Sequence, residues 1–384
     1  MTTMAAQTDL LAQILDPAHR ANPYPLYAEL RATPVLRAWD GSYVVSTYRD
    51  VALLTHDPRL SKRGEATGGD PPAFIDIDPP EHDRLRRLTV RHFDQSEAIR
   101  PVLLRIVTEL IDRLREQRRI DVVDDLAYPY PVTVICDRLG VPREDEPRFH
   151  PWADAIVSSI GQTGEQVEAH RARTEMRQYM ARLVDRFRRE PAAGLLSDLA
   201  GGEGMTTDDA VRIGELLLVA GHETTVNLIA NGMLTLLRHP DVLARLRTDP
   251  DLAITLVEEV LRYEPPVQVD PGYVPLDDID VAGVTIPRGA RLLLALAAAN
   301  RDPNRFPDPD RFDPDRRDNA HLSFLGGVHY CFGAPLARQE AQVALSEFAR
   351  RLENPRLVDD PPPYRPSAFL RGPRHLVVEI DGVR

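Results

Sequence analysis

The stretch Phe324–Leu345 reads FLGGVHYCFGAPLARQEAQVAL and contains Cys331, one of only two cysteines among 384 residues. Glycines stand at positions 326, 327 and 333, and His329 lies two residues before the cysteine. Pro335 is typical of a first helical turn, and the apolar spacing after it predicts an amphipathic helix. A cysteine that serves only packing needs none of these neighbours, so the segment indicates a functional thiol.

Cys331 is thus predicted just ahead of a helix N-terminus. Backbone N–H groups and the positive end of the helix dipole favour a thiolate there. The neighbouring glycines allow a tight, open loop that a flat ligand can approach. One thiolate does not make a zinc site, which normally takes four ligands. Two interpretations remain: an axial ligand of haem iron, or a small buried hydrophobic residue, which is the usual fate of an unbonded cysteine.

Composition narrows the class of protein. Lys+Arg 47 against Asp+Glu 59 gives a net charge of −12, which disfavours a nucleic-acid partner. Two cysteines cannot form a disulfide framework, which suits a reducing cytoplasm. The N-terminus lacks a basic region followed by an apolar core, and polar residues interrupt the most apolar stretch, 213–237. We therefore expect a soluble, cytoplasmic protein without a membrane partner.

Apolar residues recur at helical spacing through most of 80–237, whereas strand-like pieces are few. These pieces lie at Ser42–Tyr48, Ile279–Pro287 and His375–Asp381. The stretch 300–318 is too rich in proline for a helix or a strand. No glycine-rich phosphate loop or βαβ alternation is present in the sequence, so a nucleotide-binding fold is disfavoured. The pattern predicts a mainly α fold with a small β portion.

Phe324, Gly327, His329, Cys331 and Gly333 reproduce the spacing Phe-x-x-Gly-x-His-x-Cys-x-Gly. This resembles the haem-binding signature of the cytochrome P450 family. The resemblance implies the P450 fold as a single large domain over 1–384, without a fused reductase or ferredoxin domain. It also implies haem b as the cofactor, with Cys331 as the axial ligand of the iron and the other four residues in the haem-binding loop.

A second segment, PPEHDRLRRLTVRHF, predicts a helix that begins after Pro80. His82 and Arg86 are four residues apart and therefore share a face. The resemblance implies that both, together with His329, bind the two propionates of haem. Many family members carry a further arginine for this purpose, but the aligned position here is Tyr273. Either the phenol substitutes, or another residue or water holds that propionate.

The long apolar helix predicted over 206–238 contains AGHETT, from Ala220 to Thr225. Glycine and paired threonines are poor helix formers, and an acid inside such a helix needs a role. A Thr224 hydroxyl can bond to the carbonyl of Ala220 and open a polar notch. The motif resembles the oxygen-binding groove of the family. The resemblance implies that Ala220 and Gly221 line the haem, that Thr224 assists oxygen activation and that Glu223 relays protons.

Glu259 and Arg262 stand at i, i+3 in a predicted helix. A pair at this spacing is usually an exposed ion pair that contributes little. Here it matches the Glu-x-x-Arg motif of the family, which is buried and structural and is completed by an arginine from the irregular stretch 300–318. Arg311 is our candidate for that arginine, with Arg316 as its rival.

The resemblance implies a monooxygenase that uses O2 and two electrons from a separate ferredoxin and ferredoxin reductase. We expect a monomer that hydroxylates or epoxidises a lipophilic small molecule, such as a natural-product intermediate. The alternatives are oxidative C–C or C–O coupling, peroxide-driven oxidation, and a haem-binding protein without catalysis. Stretches 61–75 and 156–170 are expected to select the substrate. Candidate substrate contacts are Leu216, Val219, Ala220, Val267, Val269 and Phe369.

Overall fold

The computed structural model describes residues 10–62, 74–91, 97–159 and 167–384. Most of the two substrate-selecting stretches, at 63–73 and 160–166, lies outside the described residues. Helices dominate the described chain. Beyond residue 20, the α-helices are Tyr24–Arg31 (α1), Tyr48–Leu54 (α2), Glu81–Val90 (α3), Arg100–Asp112 (α4), Pro129–Leu139 (α5), Phe149–Ser158 (α6), Val167–Arg189 (α7), Leu195–Gly201 (α8), Thr207–Arg238 (α9), Pro240–Thr248 (α10), Leu252–Tyr263 (α11), Leu296–Ala299 (α12) and Ala334–Arg351 (α13).

Helix α9 is the central element of the fold and agrees with the helix predicted over 206–238. Its first turn is closed by a capping box, in which the Thr206 hydroxyl accepts from the backbone N–H of Asp209 and the Asp209 carboxylate accepts from the N–H of Thr206. Most of its later residues are buried, and it packs against α5, α7 and α13. In a helix that is buried on nearly all sides, a polar side chain is costly unless it has a hydrogen-bond or charge partner.

The strands are short. They are Val35–Arg37 (β1), Tyr43–Val45 (β2), Leu60–Ser61 (β3), Arg119–Asp121 (β4), Asp270–Pro275 (β5), Ile279–Val281 (β6), Val284–Ile286 (β7), Leu292–Leu294 (β8), Leu352–Glu353 (β9), Arg356–Leu357 (β10), Val377–Glu379 (β11) and Gly382–Val383 (β12). All three predicted strand regions contain strands. The prediction missed the six-residue strand β5, which contains two prolines and a glycine, and most of the strands of two or three residues, which are too short to show an alternating pattern.

The largest described sheet has the order β1-β2-β8-β5-β3, in which β2 and β8 are parallel and the other pairs antiparallel. A second sheet has the order β10-β11-β4, and β12-β9 and β6-β7 form two-stranded pairs. Residues 300–318 contain neither helix nor strand, as predicted. A mainly α fold with a small β portion is therefore confirmed.

One large hydrophobic cluster joins the helices, and two smaller clusters cover the faces of the five-stranded sheet. The irregular segment that carries Cys331 connects the 300–318 stretch to α13, which packs on α9, α11 and α4. The cysteine and the polar part of α9 are thereby brought to one place. Within the described ranges, no helix has the length and apolar character needed to cross a membrane.

Candidate active site

A cavity of about 290 Å³ lies between α9 and the segment that carries Cys331. Its walls are mostly aliphatic, with charged groups gathered on the side of α3. The predicted site residues that line it are His82, Arg86, Leu216, Ala220, Gly221, Thr224, Val267, Phe324, His329, Cys331 and Gly333. The tertiary structure therefore brings together four sequence segments that are far apart in the chain.

The Cys331 loop has the geometry that its glycines suggest. The backbone N–H of Cys331 donates to the carbonyl of Phe324 at 2.9 Å, and α13 begins at Ala334 with Pro335 in its first turn. Burial raises the pKa of the Cys331 thiol, while the backbone N–H groups of Gly333 and Ala334 oppose this shift. The sequence analysis predicted a thiolate from the helix terminus alone. Burial, which that prediction did not include, has the larger effect on the pKa of this thiol.

Gly327, which was predicted as a cofactor contact, is not among the residues that line the cavity. Its backbone has φ +61°, and a Cβ there would lie 2.0 Å from the carbonyl oxygen of Thr55. Gly333 does line the cavity, and a Cβ there would meet nothing within 4 Å. The first glycine is therefore required for a turn packed against the Thr55 backbone, and the second leaves space at the cavity wall.

Helix α3 places two basic side chains beside the Cys331 loop, as their spacing predicts. The buried His82 ring lies 4.8 Å from the His329 ring, edge to face. Arg86 donates through Nη2 to the carbonyl of Tyr330 at 2.8 Å. Burial, with the nearby charges of His82 and Lys62, lowers the pKa of His329 to about 4. His329 Nδ1 is buried and has no hydrogen-bond partner among the described residues.

Tyr273 is not a cavity residue. Its hydroxyl donates to the carboxylate of Asp270 at 2.8 Å, and its ring is buried. Lys62 Nζ lies 3.9 Å from the centre of that ring and 2.9 Å from Asp270. Both Lys62 and Asp270 line the cavity. Sequence reasoning missed these two residues because no local spacing connects them.

The polar notch predicted in α9 is present. Thr224 Oγ1 donates to the carbonyl oxygen of Ala220 at 2.8 Å, and both residues line the cavity. On another side of the helix, a Cβ at Gly221 would lie 3.2 Å from the Ile135 side chain of α5. Thus Gly221 allows close packing of two helices, while Thr224 gives a mostly aliphatic wall a hydroxyl group.

Glu223 is completely buried and does not line the cavity. Arg365 Nη1 donates to its Oε2 at 3.0 Å, and the same arginine nitrogen lies 3.3 Å from the half-exposed carboxylate of Asp154. His222 Nε2 is 3.3 Å from Glu223 Oε1. Burial alone would raise the pKa of Glu223, but the charges of His222, Arg365 and His150 bring it below its ordinary value.

Arg316 completes the buried Glu259–Arg262 pair, and the choice of Arg311 was wrong. Arg262 donates to both carboxylate oxygens of Glu259 at 2.8 Å, with both side chains fully buried. Arg316 Nε lies 3.3 Å from Glu259. The Arg311 side chain is 69% exposed, and this residue contributes only its backbone carbonyl to Arg262.

Three of the predicted substrate contacts lie elsewhere. Val269 and Phe369 belong to the hydrophobic cluster on one face of the sheet, and Val219 packs against the main helical core. The cavity has further aliphatic residues that were not predicted, among them Ile75, Ile135, Leu217, Leu228, Pro266 and Leu296. Periodicity assigned the apolar character correctly, but it does not distinguish the wall of a cavity from the core behind it.

Glu340 is another cavity residue that the sequence analysis did not single out. It lies on α13, is 1% exposed and has an Oε2 atom without a hydrogen-bond partner in the described structure. Burial raises the pKa of this carboxylic acid well above its usual range.

Comparison with known proteins agrees with this geometry. A family model described as Cytochrome P450 matches residues 160–380. The cytochrome P450 monooxygenase PikC of Streptomyces venezuelae is 40% identical, over 93% of this chain and 91% of that protein. The vitamin D(3) 25-hydroxylase of Pseudonocardia autotrophica is 38% identical, over 94% of both.

Solved structures show the same similarity. The crystal structure of P450BioI in complex with an acyl carrier protein ligated to hexadec-9Z-enoic acid superposes with a TM-score of 0.89. It is 34% identical in sequence, and the match covers 95% of this chain and 100% of that chain. The likeness therefore extends over the elements that form the cavity.

Proposed function

Because this chain belongs to the cytochrome P450 family and is a haem-dependent monooxygenase, we propose that it hydroxylates or epoxidises a lipophilic natural-product intermediate. One observation carries the proposal. Cys331 and Thr224 line the same, mainly aliphatic cavity, the first from the loop before α13 and the second from α9. The cavity thus offers a metal-binding sulfur and a hydroxyl group within one apolar enclosure.

The residues around the cavity fit haem b, the cofactor of this family. Haem is flat and carries two carboxylates, while the cavity edge offers Arg86, His82 and a buried His329 nitrogen without a partner. We assign these three to the propionates and Cys331 to the iron. Ala220, Gly221, Phe324 and Gly333 lie where they can contact the ring. When bound, haem supplies the redox chemistry that places one oxygen atom of O2 into the substrate.

We assign oxygen and proton handling to Thr224 and Glu223. The Thr224 hydroxyl donates to Ala220, so its oxygen can accept a hydrogen bond from a group in the cavity. Glu223 faces Arg365, and Asp154 on the far side of that arginine is half-exposed to solvent. A turn of the Glu223 side chain away from Arg365 brings a proton from the solvent side towards Thr224.

The chemical class of the substrate is inferred from the side chains that line the cavity. Leu216, Val267 and the neighbouring aliphatic side chains give no charged partner to a ligand on the α9 side, so a lipophilic compound is favoured. The names of the similar proteins, a vitamin D(3) hydroxylase and a P450 bound to an acyl carrier protein with a fatty acid, support this class.

Electrons must come from other proteins, and we propose a ferredoxin and a ferredoxin reductase. Arg87 on α3 and Arg91, which caps its C-terminus, are exposed and give a basic face to an acidic chain, which suits an acidic donor. We further propose a monomer in the cytoplasm. Cys136 and Cys331 are both unbonded, as expected in a reducing compartment.

Two measurements test the function. The ferrous carbonyl complex should show the strongly red-shifted Soret band of thiolate ligation, and Cys331→Ser should lose it. Purified protein with a surrogate ferredoxin and reductase should then be given macrolide, sterol and fatty-acyl compounds, and products analysed by mass. A product heavier by one oxygen atom supports the proposal.

Other results would support the alternatives. A product lighter by two hydrogens and without added oxygen would indicate oxidative coupling. Turnover with peroxide alone that is unchanged in Thr224→Ala would indicate peroxide-driven oxidation. A normal Soret band with no product from any compound or donor would leave a haem-binding protein without demonstrated catalysis and count against the proposed reaction.

A further inference from the structure

Lys62 is the only lysine in the chain, since the other 46 of the 47 basic residues are arginines. Its side chain is only 12% exposed and lines the cavity. The same corner of the cavity holds His82, Arg86 and His329. A single ammonium group therefore lies among the residues that bind the haem carboxylates in the proposed site.

The backbone fixes Lys62 in this corner. Its N–H donates to Asp78 Oδ1 at 3.0 Å, and the adjacent Ser61 hydroxyl donates to Asp78 Oδ2 at 2.6 Å. The carbonyl of Asp78 in turn accepts from the backbone N–H of His82 at 3.1 Å. The Asp78 side chain and backbone therefore tie strand β3 to the first turn of α3, so Lys62 and His82 are held next to each other.

The ammonium itself is oriented by Asp270 and Tyr273. Nζ contacts both carboxylate oxygens of Asp270 at 2.9 Å and the carbonyl of Pro271 at 3.2 Å. These three contacts use the three N–H groups, two of them on the single carboxylate of Asp270. A ligand carboxylate in the cavity can take one of these two N–H groups while the other keeps the ion pair with Asp270. The Asp270 carboxylate also accepts the Tyr273 hydroxyl, which fixes the ion pair against the Tyr273 ring.

We propose that Lys62 binds one carboxylate of haem, in place of the arginine that Tyr273 replaces in this chain. The inference rests on the proposed function, because it requires haem in the cavity. Tyr273 cannot take this role in the observed arrangement, since its hydroxyl is directed to Asp270 and its ring lies outside the cavity lining. Tyr273 and Asp270 instead hold the ammonium group of Lys62, which takes the place of the arginine guanidinium.

The test compares haem b with haem dimethyl ester, which lacks the carboxylate charges. Each is loaded into the wild type and into Lys62→Met/Asp270→Asn, a variant that removes both charges and leaves none unpaired. The rate of haem transfer to excess apomyoglobin is measured. With haem b, we expect the variant to lose haem about tenfold faster, as for a lost charge-assisted hydrogen bond. With the dimethyl ester, the two proteins should lose the cofactor at the same rate.

Control variants separate charge from structure. Lys62→Arg keeps the charge and should hold haem b like the wild type. Arg59 lies on the same short segment, pairs with Asp57 and does not line the cavity. Arg59→Met removes this cation and should leave the rate of haem b loss unchanged. Because Lys62 is the only lysine, its acetylation is read directly by mass spectrometry, and haem b should protect it while the dimethyl ester should not.

Equal loss of both cofactors from the double variant, or no faster loss of haem b, would overturn the assignment, as would equal acetylation with either cofactor. These outcomes leave the proposed function intact, because the wild type still shows the thiolate Soret band. A wild type that binds no haem would overturn the proposed function and this inference together.

Discussion

Arg365 and Glu223 form a buried ion pair, with Arg365 Nη1 3.0 Å from Glu223 Oε2, although 142 residues separate them in the chain. Glu223 is directly followed by Thr224, whose hydroxyl faces the cavity. An ionised carboxylate in a protein interior is costly unless it is paired. Arg365, together with the adjacent His222, therefore lowers the pKa of the acid that stands beside the proposed oxygen site.

The first prediction concerns Arg365→Met. Without this cation, only His222 and His150 oppose the effect of burial, and we expect burial to outweigh them, so that the pKa of Glu223 rises above its ordinary value. In the wild type the lowered pKa gives stability above the unfolded-state pKa, which is lost as pH falls through the folded-state value. In the variant the raised pKa gives stability at low pH that is lost as pH rises. Relative to the wild type, the urea midpoint of the variant should therefore decrease as the pH rises from 5 to 8.

The matched controls for Arg365→Met test the same pair. Glu223→Gln/Arg365→Met has no carboxylate left to titrate, so its urea midpoints should run parallel to those of the wild type over this pH range. Asp154→Asn removes only the half-exposed partner and should change the free energy of unfolding by less than about 1 kcal/mol. If Arg365→Met also ran parallel to the wild type, Arg365 would not control the ionisation of Glu223.

The second prediction compares two arginines from the irregular stretch. Arg316→Met should lower the free energy of unfolding by about 3 kcal/mol, because it withdraws a cation from the fully buried Glu259. Arg311→Met should change it by less than about 0.5 kcal/mol, since the Arg311 side chain is exposed and its carbonyl stays in place. Urea unfolding of the two variants measures the difference. Equal losses would mean that Arg316 is not the third member of the cluster.

The third prediction concerns Gly327. Gly327→Ala should destabilise the haem-bound protein by about 2 kcal/mol or more, because the new Cβ meets the Thr55 carbonyl at 2.0 Å in a backbone with φ +61°. Gly283→Ala has a similar φ of +81° but open space around its Cβ, so it should cost only about 1 kcal/mol. Thermal unfolding followed at the Soret band compares them. A smaller loss for Gly327→Ala would show that the Thr55 segment yields easily.

The fourth prediction concerns Thr224. Thr224→Ala removes the cavity hydroxyl and should reduce product formed per NAD(P)H consumed by about tenfold, with the balance appearing as peroxide. Thr224→Ser keeps the hydroxyl and should retain most of the coupling. Thr225→Ala is the matched control, since Thr225 also lines the cavity but bonds weakly to Gly221 at 3.4 Å. Equal uncoupling in both alanine variants would remove the special role of Thr224.

Short-range relationships were predictable because helix geometry fixes them. The bond from Thr224 to Ala220 and the pairing of Glu259 with Arg262 follow from i, i+4 and i, i+3 spacing alone. The start of α13 after Cys331 follows from Pro335 and the apolar period beyond it. Such features need only the backbone of one element, so the sequence specifies them before any tertiary contact forms.

The amino-acid sequence by itself determined the helical class, the Cys331 loop and the residues carried by each motif, because neighbours along one chain segment share one local geometry. Only the tertiary structure decided that Arg316 and not Arg311 meets Glu259, that Arg365 neutralises Glu223 and that Lys62 enters the cavity beside His329. These partners lie far apart in the chain on irregular segments, where no periodic spacing encodes the direction of a side chain. Packing of the helices on the sheet alone sets which of them meet.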